Sequence, residues 1–353
     1  MTYNEVLFEE MPGNGGNLGL ITLNRPQVLN SLNHAMINAL HAQLKFWATA
    51  DHIKAVVIRA ADGRAFCAGG DLRSTFDRFR THDDTLHMFF RDEYQLNRFI
   101  FHFPKPYIAL LDGITMGGGV GISIHGSHRV ATDRLLFAMP ETGIGFFPDV
   151  GGTYFLPRLP GKIGFYLGLT GARIGSDDCV ALGIAQHKVE REKLSELINA
   201  LAQEKFSSNA KTSVTEIIDQ FKISTQPSPL IEQQSAIDQA FSADTMENIL
   251  QVLRQSSNKI CQEAAVSLIS KSPTSLKITL QALREGHQKE FDACMRQEYR
   301  LVCRFLQGHD FAEGIRAVII DKDQSPQWKP NTLEGVTNHE IEKYFAPLAK
   351  ELV

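Results

Sequence analysis

Residues 106–121 read PYIALLDGITMGGGVG, an apolar run that leads directly into a glycine-rich turn. The apolar run is typical of a buried strand, and the glycines allow a turn with positive φ and close approach of a ligand. The same order occurs upstream, where AVVIRA (55–60) precedes the loop DGRAFCAGGD (62–71). Repeated strand, turn and helix units predict an α/β fold.

The pattern of the chain changes near residue 190. Before it, Val6–Phe8 and Leu18–Leu23 are predicted strands joined by PGNGGN, and Asn33 is the predicted N-cap of a helix that runs to Trp47. A further strand-like piece, HRVATDRLLFAMP, ends at residue 140. After residue 190 glycine is rare and the helical pattern continues to about residue 317. We predict a core at 1–190 and a mainly helical region at 191–353 that packs on the core.

Composition excludes several classes of protein. The 353 residues are 43% hydrophobic and 22% charged, with a formal net charge of −4, as in an ordinary globular protein without affinity for nucleic acid. No apolar run has the length of a membrane span. The five scattered cysteines indicate a reducing compartment, and the 12 histidines lack metal-ligand spacing. We expect a cytoplasmic protein with no metal site, no membrane and no nucleic-acid partner.

Two glycine-rich segments are candidates for chemistry. FCAGGD (66–71) and MGGGVG (116–121) each follow an apolar strand. Two such turns placed side by side can hold an oxyanion between two backbone N–H donors. Taken alone, each segment is better explained as a tight turn with close packing. The GxGxxG pattern and the Walker A sequence are both absent, so a nucleotide site has no support.

A third segment, FAMPETGIGFFPDVGGTYFLPRL (137–159), contains two carboxylates. Glu141 and Asp149 lie among glycine, proline and phenylalanine. Apolar surroundings raise the pKa of a carboxyl group and suit it to proton transfer near neutral pH. Taken alone, Glu141 is better explained as a helix N-terminal charge and Asp149 as a turn residue.

Together these segments resemble the crotonase (enoyl-CoA hydratase/isomerase) superfamily, and more narrowly its 3-hydroxyisobutyryl-CoA hydrolase branch. The resemblance extends from near residue 6 to about residue 330, and six motifs occur in order. They are LNRPQVLNSLN (23–33), AFCAGGD (65–71), RDEYQLN (91–97), DGITMGGGVGIS (112–123), MPETGIGFFPDVGGTYFLPRL (139–159) and GHDFAEGIRAVIIDKDQSPQWKP (308–330). The resemblance implies a crotonase-like spiral of ββα units with a helical C-terminal extension.

The resemblance also implies an acyl-CoA ligand. By position, the thioester carbonyl is expected between the backbone N–H groups of Gly70 and Gly118. The adenine and pantetheine of CoA are expected along six residues, mainly through backbone contacts: Val28, Leu29, Ala68, Gly69, Gly70 and Asp71. Family members often carry lysine where this chain has Gln27, which leaves one phosphate contact without its usual partner.

The carboxylates indicate the reaction. Hydratases of the family use two glutamates, and this chain keeps one as Glu141 but has Gly121 at the position of the other. The hydrolase branch has the Glu141 and Asp149 pattern and a glutamate matched by Glu93, which is implied to contact the 3-hydroxyl of the substrate. Asp149 also falls where the dehalogenase branch has its nucleophile. The resemblance therefore implies hydrolysis of 3-hydroxyisobutyryl-CoA in valine breakdown.

The implied mechanism leaves alternatives open. Glu141 either attacks the thioester to form an anhydride or activates water, and Asp149 positions water or delivers the proton to the leaving thiolate. No metal and no redox cofactor is expected. The rival functions are an enoyl-CoA hydratase or isomerase and a catalytically silent CoA-binding protein. The family often forms trimers, so a homo-oligomer is expected unless the helical extension blocks those contacts.

Overall fold

The computed structural model describes residues 5–206 and 209–352. The chain forms two compact units, each built from three separate stretches of sequence. The first unit comprises Met1–Gly70, Leu96–Phe137 and Ile174–Ser228, and the second comprises Asp71–Gln95, Ala138–Arg173 and Pro229–Val353. The division at residue 190, which follows composition, stays a prediction.

The strands of the described residues form two sheets. The strands are β1 (Val6–Met11), β2 (Asn17–Leu23), β3 (Ile53–Ala60), β4 (Ala65–Cys67), β5 (Tyr107–Leu111), β6 (Ile114–Met116), β7 (His128–Ala131), β8 (Leu136–Ala138), β9 (Ile174–Gly175) and β10 (His187–Lys188). One sheet has the order β1-β2-β3-β5-β7-β10, and the other has the order β4-β6-β8-β9.

Successive strand pairs contribute one strand to each sheet. The first strands of the pairs, β3, β5 and β7, are parallel neighbours in the six-stranded sheet. The second strands, β4, β6 and β8, are neighbours in the four-stranded sheet. This repetition matches the ββα unit that the resemblance implies, and it brings the turns after β4 and β6 to neighbouring positions of one sheet.

Helices make up most of the remaining structure. They are α1 (His34–Thr49), α2 (Leu72–Arg80), α3 (Leu86–Phe101), α4 (Gly118–Gly121), α5 (Gly152–Phe155), α6 (Ile163–Thr170), α7 (Ser176–Ala181), α8 (Leu194–Gln203), α9 (Ala210–Asp219), α10 (Pro229–Glu232), α11 (Gln234–Phe241), α12 (Met246–Gln255), α13 (Lys259–Ile269), α14 (Pro273–Gly286), α15 (Phe291–Phe305), α16 (Asp310–Ile315) and α17 (Asn338–Phe345). The predicted α/β class with a helical C-terminal region is confirmed. Among the described residues, no helix has both the length and the apolar character needed to span a membrane.

Side-chain caps begin α1 and α14, and the cap by Asn33 is predicted from the sequence. The Asn33 side chain accepts a hydrogen bond from Met36 N at 2.9 Å and begins α1. Ser272 likewise caps α14, which has Pro273 at its first position. The strand-like piece before residue 140 is wrong as one strand, because Leu135 N donates to the Thr132 carbonyl at 3.2 Å and closes a turn. The turn at Thr132 separates β7 from β8, and these two strands belong to different sheets.

One part of the core of the first unit lies on one face of the six-stranded sheet. Alternate residues of the central strands, such as Leu18 and Leu20 of β2, are buried there. Apolar residues of α8 and α9, including Leu197 and Ile217, pack against the same face. Because a parallel sheet needs helices over its faces, these two helices complete the unit that carries the glycine-rich turns.

Candidate functional site

The two glycine-rich turns of the first unit lie side by side. Gly69 has φ of 104° and Gly117 has φ of 48°, backbone conformations that favour glycine. A Cβ atom added to Gly69 would lie 3.4 Å from the Met116 carbonyl oxygen and 3.7 Å from Gly118 N. The turn after β4 therefore contacts the turn after β6, as the oxyanion argument requires.

The predicted oxyanion donors are Gly70 and Gly118. Among the residues that the structure describes, neither of these two backbone N–H groups donates a hydrogen bond. Gly118 is buried and opens the short helix α4. Two neighbouring N–H groups without a protein acceptor can stabilise the negative oxygen of a tetrahedral intermediate.

The loop before α1 packs on the first of these turns. Leu29 has φ of 55°, and its carbonyl accepts from Ala68 N at 3.0 Å. Leu32 pairs with Gly70, and Val28 keeps 41% of its surface exposed. The structure thus brings Val28 and Leu29 together with the residues before Asp71, which are Ala68, Gly69 and Gly70.

Asp71 has a structural role in the second unit. Its side chain accepts a hydrogen bond from Ser74 N at 3.2 Å and caps α2. Its predicted contact with CoA stays a prediction.

Five carboxyl groups are buried in the second unit, and the fifth is Asp310. We call the other four the carboxyl cluster: Glu93, Glu141, Asp149 and Glu298. Glu141 begins the 3₁₀ turn Glu141–Ile144, which ends at Gly145 with φ of 68°. Asp149 stands before Val150 and Gly151, whose φ angles are 50° and 89°. Positive φ at a β-branched residue is strained backbone, which persists where the surroundings hold it.

Aromatic rings surround this part of the second unit. Phe146 stacks on Phe311 with ring centroids 4.3 Å apart, and Phe147 stacks on Phe305 at 5.3 Å. Phe146 and Phe147 are buried shortly before Asp149, whereas Gly143 and Ile144 are half-buried. In the described part of the chain, no ion pair joins the carboxyl cluster to a cation.

Burial governs the titration of the carboxyl cluster. Loss of solvation raises the pKa of Glu93 and of Glu141 well above the usual range, and the Asp149 charge raises both further. Burial raises the pKa of Asp149 to about 7, although a hydrogen bond from Tyr94 lowers it. Carboxyl groups this close cannot all ionise in a dry site. The cluster therefore holds protons at neutral pH and can exchange them with a ligand.

Two members of this arrangement were missed from sequence. Tyr94 donates its hydroxyl hydrogen bond to Asp149 Oδ2 at 2.7 Å. Glu298 accepts from Gly151 N at 2.8 Å, from Thr153 N at 3.0 Å and from the Thr153 hydroxyl at 2.6 Å. Tyr94 follows Glu93 directly in RDEYQLN, which was an available signal. Glu298 lies in an ordinary helical pattern, where its sequence gives no signal.

Two carboxyl groups of the cluster each have an oxygen atom without a hydrogen-bond partner among the described residues. Among the described residues, Glu93 Oε1 and Glu141 Oε2 are buried without a hydrogen-bond partner. A buried polar atom without a partner costs free energy that a ligand can recover. No group of three or more His, Cys, Asp or Glu side chains in the described residues could hold a metal ion.

Known proteins resemble this chain over nearly its full length. The enoyl-CoA hydratase/isomerase family matches residues 18–345. A mitochondrial 3-hydroxyisobutyryl-CoA hydrolase from Danio rerio is 45% identical over 350 residues, which is 98% of this chain and 90% of that protein. The mitochondrial 3-hydroxyisobutyryl-CoA hydrolase from Homo sapiens is 45% identical over 349 residues, 98% of this chain and 89% of that one.

Solved structures agree in fold. A carnitinyl-CoA dehydratase from Mycobacterium thermoresistibile has a TM-score of 0.91 and 39% identity, covering 99% of this chain and 98% of its own. An enoyl-CoA hydratase from Rhodobacter sphaeroides has a TM-score of 0.87 and 37% identity, covering 99% of each chain. The family match, the coverage of the relatives over nearly the full chain and the shared fold agree. This chain therefore belongs to the enoyl-CoA hydratase/isomerase family.

Proposed function

We propose that this chain hydrolyses an acyl-CoA thioester, and that its substrate is 3-hydroxyisobutyryl-CoA. The observation that carries the proposal is Asp149, which joins Glu93 and Glu141 in a dry cluster of carboxyl groups. The relatives at about 45% identity are named for this hydrolysis. The products are 3-hydroxyisobutyrate and CoA, which assigns the protein to valine breakdown.

The chemistry divides between two kinds of group. Water adds to the thioester carbon, the carbonyl oxygen becomes an oxyanion, and the C–S bond breaks as a proton reaches the thiolate. We assign the oxyanion to the N–H groups of Gly70 and Gly118, since each such donor is typically worth about 10²–10³ in rate. CoA is assigned to the loop at Val28 and Leu29 and to the turn at Ala68–Asp71. The reaction needs no redox cofactor, because no electrons are transferred.

Proton transfer is assigned to Glu141 and Asp149. In the ligand-free protein Asp149 has a hydrogen-bond donor and a pKa of about 7, while the pKa of Glu141 is raised well above its usual range. Because Tyr94 donates a hydrogen bond to Asp149 while Glu141 Oε2 has no partner among the described residues, Asp149 suits the group that receives a proton from water or attacks. Glu141 then holds the proton for the leaving thiolate. The sequence instead predicts Glu141 as the primary base or nucleophile. A single turnover in ¹⁸O-water tests which of the two carboxyl groups attacks the thioester.

Glu93 is assigned to the acyl group. It is 3% exposed, its pKa is raised by burial, and its Oε1 atom has no partner among the described residues. A neutral carboxyl group can both donate to and accept from a hydroxyl. We propose that Glu93 binds the 3-hydroxyl of the substrate.

Hydration of an enoyl-CoA is the second candidate function. It is favoured by the two structural neighbours, which are named a carnitinyl-CoA dehydratase and an enoyl-CoA hydratase. Gly121, which is buried in α4, has no carboxylate for the second proton step of that reaction. We therefore place hydrolysis first. The cytoplasmic location and a homo-oligomeric state remain predictions from sequence, and the names of the animal relatives specify mitochondria.

The acyl preference is tested by thiol release from a panel of CoA thioesters. We expect the highest kcat/KM for 3-hydroxyisobutyryl-CoA and a lower value for isobutyryl-CoA, which lacks the hydroxyl. Loss of a hydroxyl that pairs with a buried polar group can cost a large factor in rate. Equal kcat/KM values for these two thioesters would show that Glu93 does not recognise the hydroxyl. If none of the thioesters released thiol, hydrolysis itself would be contradicted.

A further inference from the structure

The side chain of Asp149 is held by a tyrosine. Tyr94 is fully buried on α3, and its hydroxyl donates to Asp149 Oδ2 at 2.7 Å. A hydrogen bond from a neutral hydroxyl to a carboxylate is short and charge-assisted, so it fixes the carboxylate plane.

The backbone that carries Asp149 is held by Glu298. Its two oxygens accept hydrogen bonds from Gly151 N, Thr153 N and the Thr153 hydroxyl. These donors lie directly after the strained residue Val150, so they fix the turn that orients Asp149. Glu298 is 0% exposed, and burial raises its pKa to about 8.

We propose that Tyr94 is a positioning residue for Asp149, whose carboxylate it orients and stabilises in the charged form. The proposal rests on hydrolysis as the proposed function. The groups that act on Asp149 are Glu93 and Tyr94 from α3, Glu141 from the 3₁₀ turn and Glu298 from α15. Of these four, Tyr94 is the group whose hydrogen bond to Asp149 lowers the pKa of Asp149, together with a backbone hydrogen bond to Asp149.

The sign of the effect follows from the hydrogen bond. Tyr94 stabilises the Asp149 carboxylate, so its removal raises the pKa of Asp149 above about 7. If Asp149 works ionised, the rising limb of kcat against pH then moves to higher pH. Loss of a hydrogen bond to a charged group corresponds to a pKa shift of about one unit or more. At pH values below the rising limb, this shift lowers kcat about tenfold.

The test is titration of Asp149 in the ligand-free protein by carbon NMR of its labelled carboxyl, assigned by comparison with Asp149→Asn. We expect Tyr94→Phe to raise the pKa of Asp149 by about one unit. The control is Tyr299→Phe, which removes a hydroxyl bonded to Cys303 instead and is expected to leave the Asp149 titration unchanged. An unchanged Asp149 titration in a folded Tyr94→Phe protein would overturn the proposal.

A second variant covers the case in which Tyr94→Phe does not fold. Incorporation of 3-fluorotyrosine at position 94 keeps the shape of the ring and makes the hydroxyl a stronger donor, so the pKa of Asp149 should fall. No change, or a rise, would contradict the positioning role. This NMR readout needs no substrate, whereas failure of hydrolysis appears in the wild-type thiol-release assay. The two failures are therefore distinguishable, and kcat profiles of the same variants show whether the titration governs turnover.

Discussion

Replacing Glu141 by glutamine is expected to lower kcat for thioester hydrolysis by about 10²–10⁴, the usual loss when a positioned acid or base is removed. Glutamine keeps the size of the side chain but cannot transfer a proton. Glu141 is buried at the start of its turn, with its pKa raised by burial and by the Asp149 charge. Its environment therefore suits proton transfer rather than a surface charge.

The control for this variant is Glu263→Gln, the same change on a side chain of α13 that is 65% exposed. Its kcat should equal that of the wild type, and calorimetry should show retained binding of CoA in both variants. Asp149→Asn should also slow turnover strongly. If Glu141→Gln and Asp149→Asn each kept kcat within a factor of about three, the mechanism with two carboxyl groups would be wrong.

The roles of the two groups can be separated by a single turnover in ¹⁸O-water, followed by mass spectrometry of the protein. If a carboxylate attacks the thioester, it gains label when water opens the anhydride at its own carbonyl carbon. Label on Asp149 would agree with its assignment as the attacking group, and label on Glu141 would support the role predicted from sequence. Absence of label from both favours direct attack by water.

Gly118→Val is expected to reduce hydrolysis nearly to background. Gly118 is buried at the start of α4, directly after Gly117 with φ of 48°. A branched side chain here would enter the space before the N–H and displace the donor. Loss of one oxyanion donor costs about 10²–10³ in kcat, and a misplaced carbonyl adds to that loss.

The control for this position is Gly175→Ala in β9 of the same unit. A Cβ atom at Gly175 meets no described atom within 4 Å, so the change should leave kcat unaltered. Circular dichroism and the unfolding temperature must show that Gly118→Val is folded. A folded Gly118→Val protein with the wild-type rate would remove Gly118 from the oxyanion hole.

Local sequence was sufficient for much of the fold. The apolar stripe of α1 and the Asn33 cap act within a few residues, so their pattern predicts the helix directly. The division between β7 and β8 was not predictable in this way. It depends on long-range pairing, because β7 pairs with β5 in one sheet and β8 pairs with β9 in the other, with a turn at Thr132 between them.

The candidate site, like the fold, could be predicted from local sequence only in part. Glu141 and Asp149 stand in one segment, and the resemblance singled them out before any geometry was known. Glu298 accepts a hydrogen bond from the turn after Asp149, although it lies 147 residues beyond Gly151 in the sequence. The shift in the pKa of Asp149 depends on packing that no local pattern describes, including the hydrogen bond from Tyr94.

The most direct test of the central claim compares two reactions of the wild-type protein at equal concentration: hydrolysis of 3-hydroxyisobutyryl-CoA, followed by thiol release, and hydration of crotonyl-CoA, followed by loss of the enoyl absorbance. Gly121 leaves the chain without the second hydratase glutamate, while Asp149 adds a carboxyl group. We therefore predict that hydrolysis is much the faster reaction. Hydration at a comparable or higher rate would contradict the account.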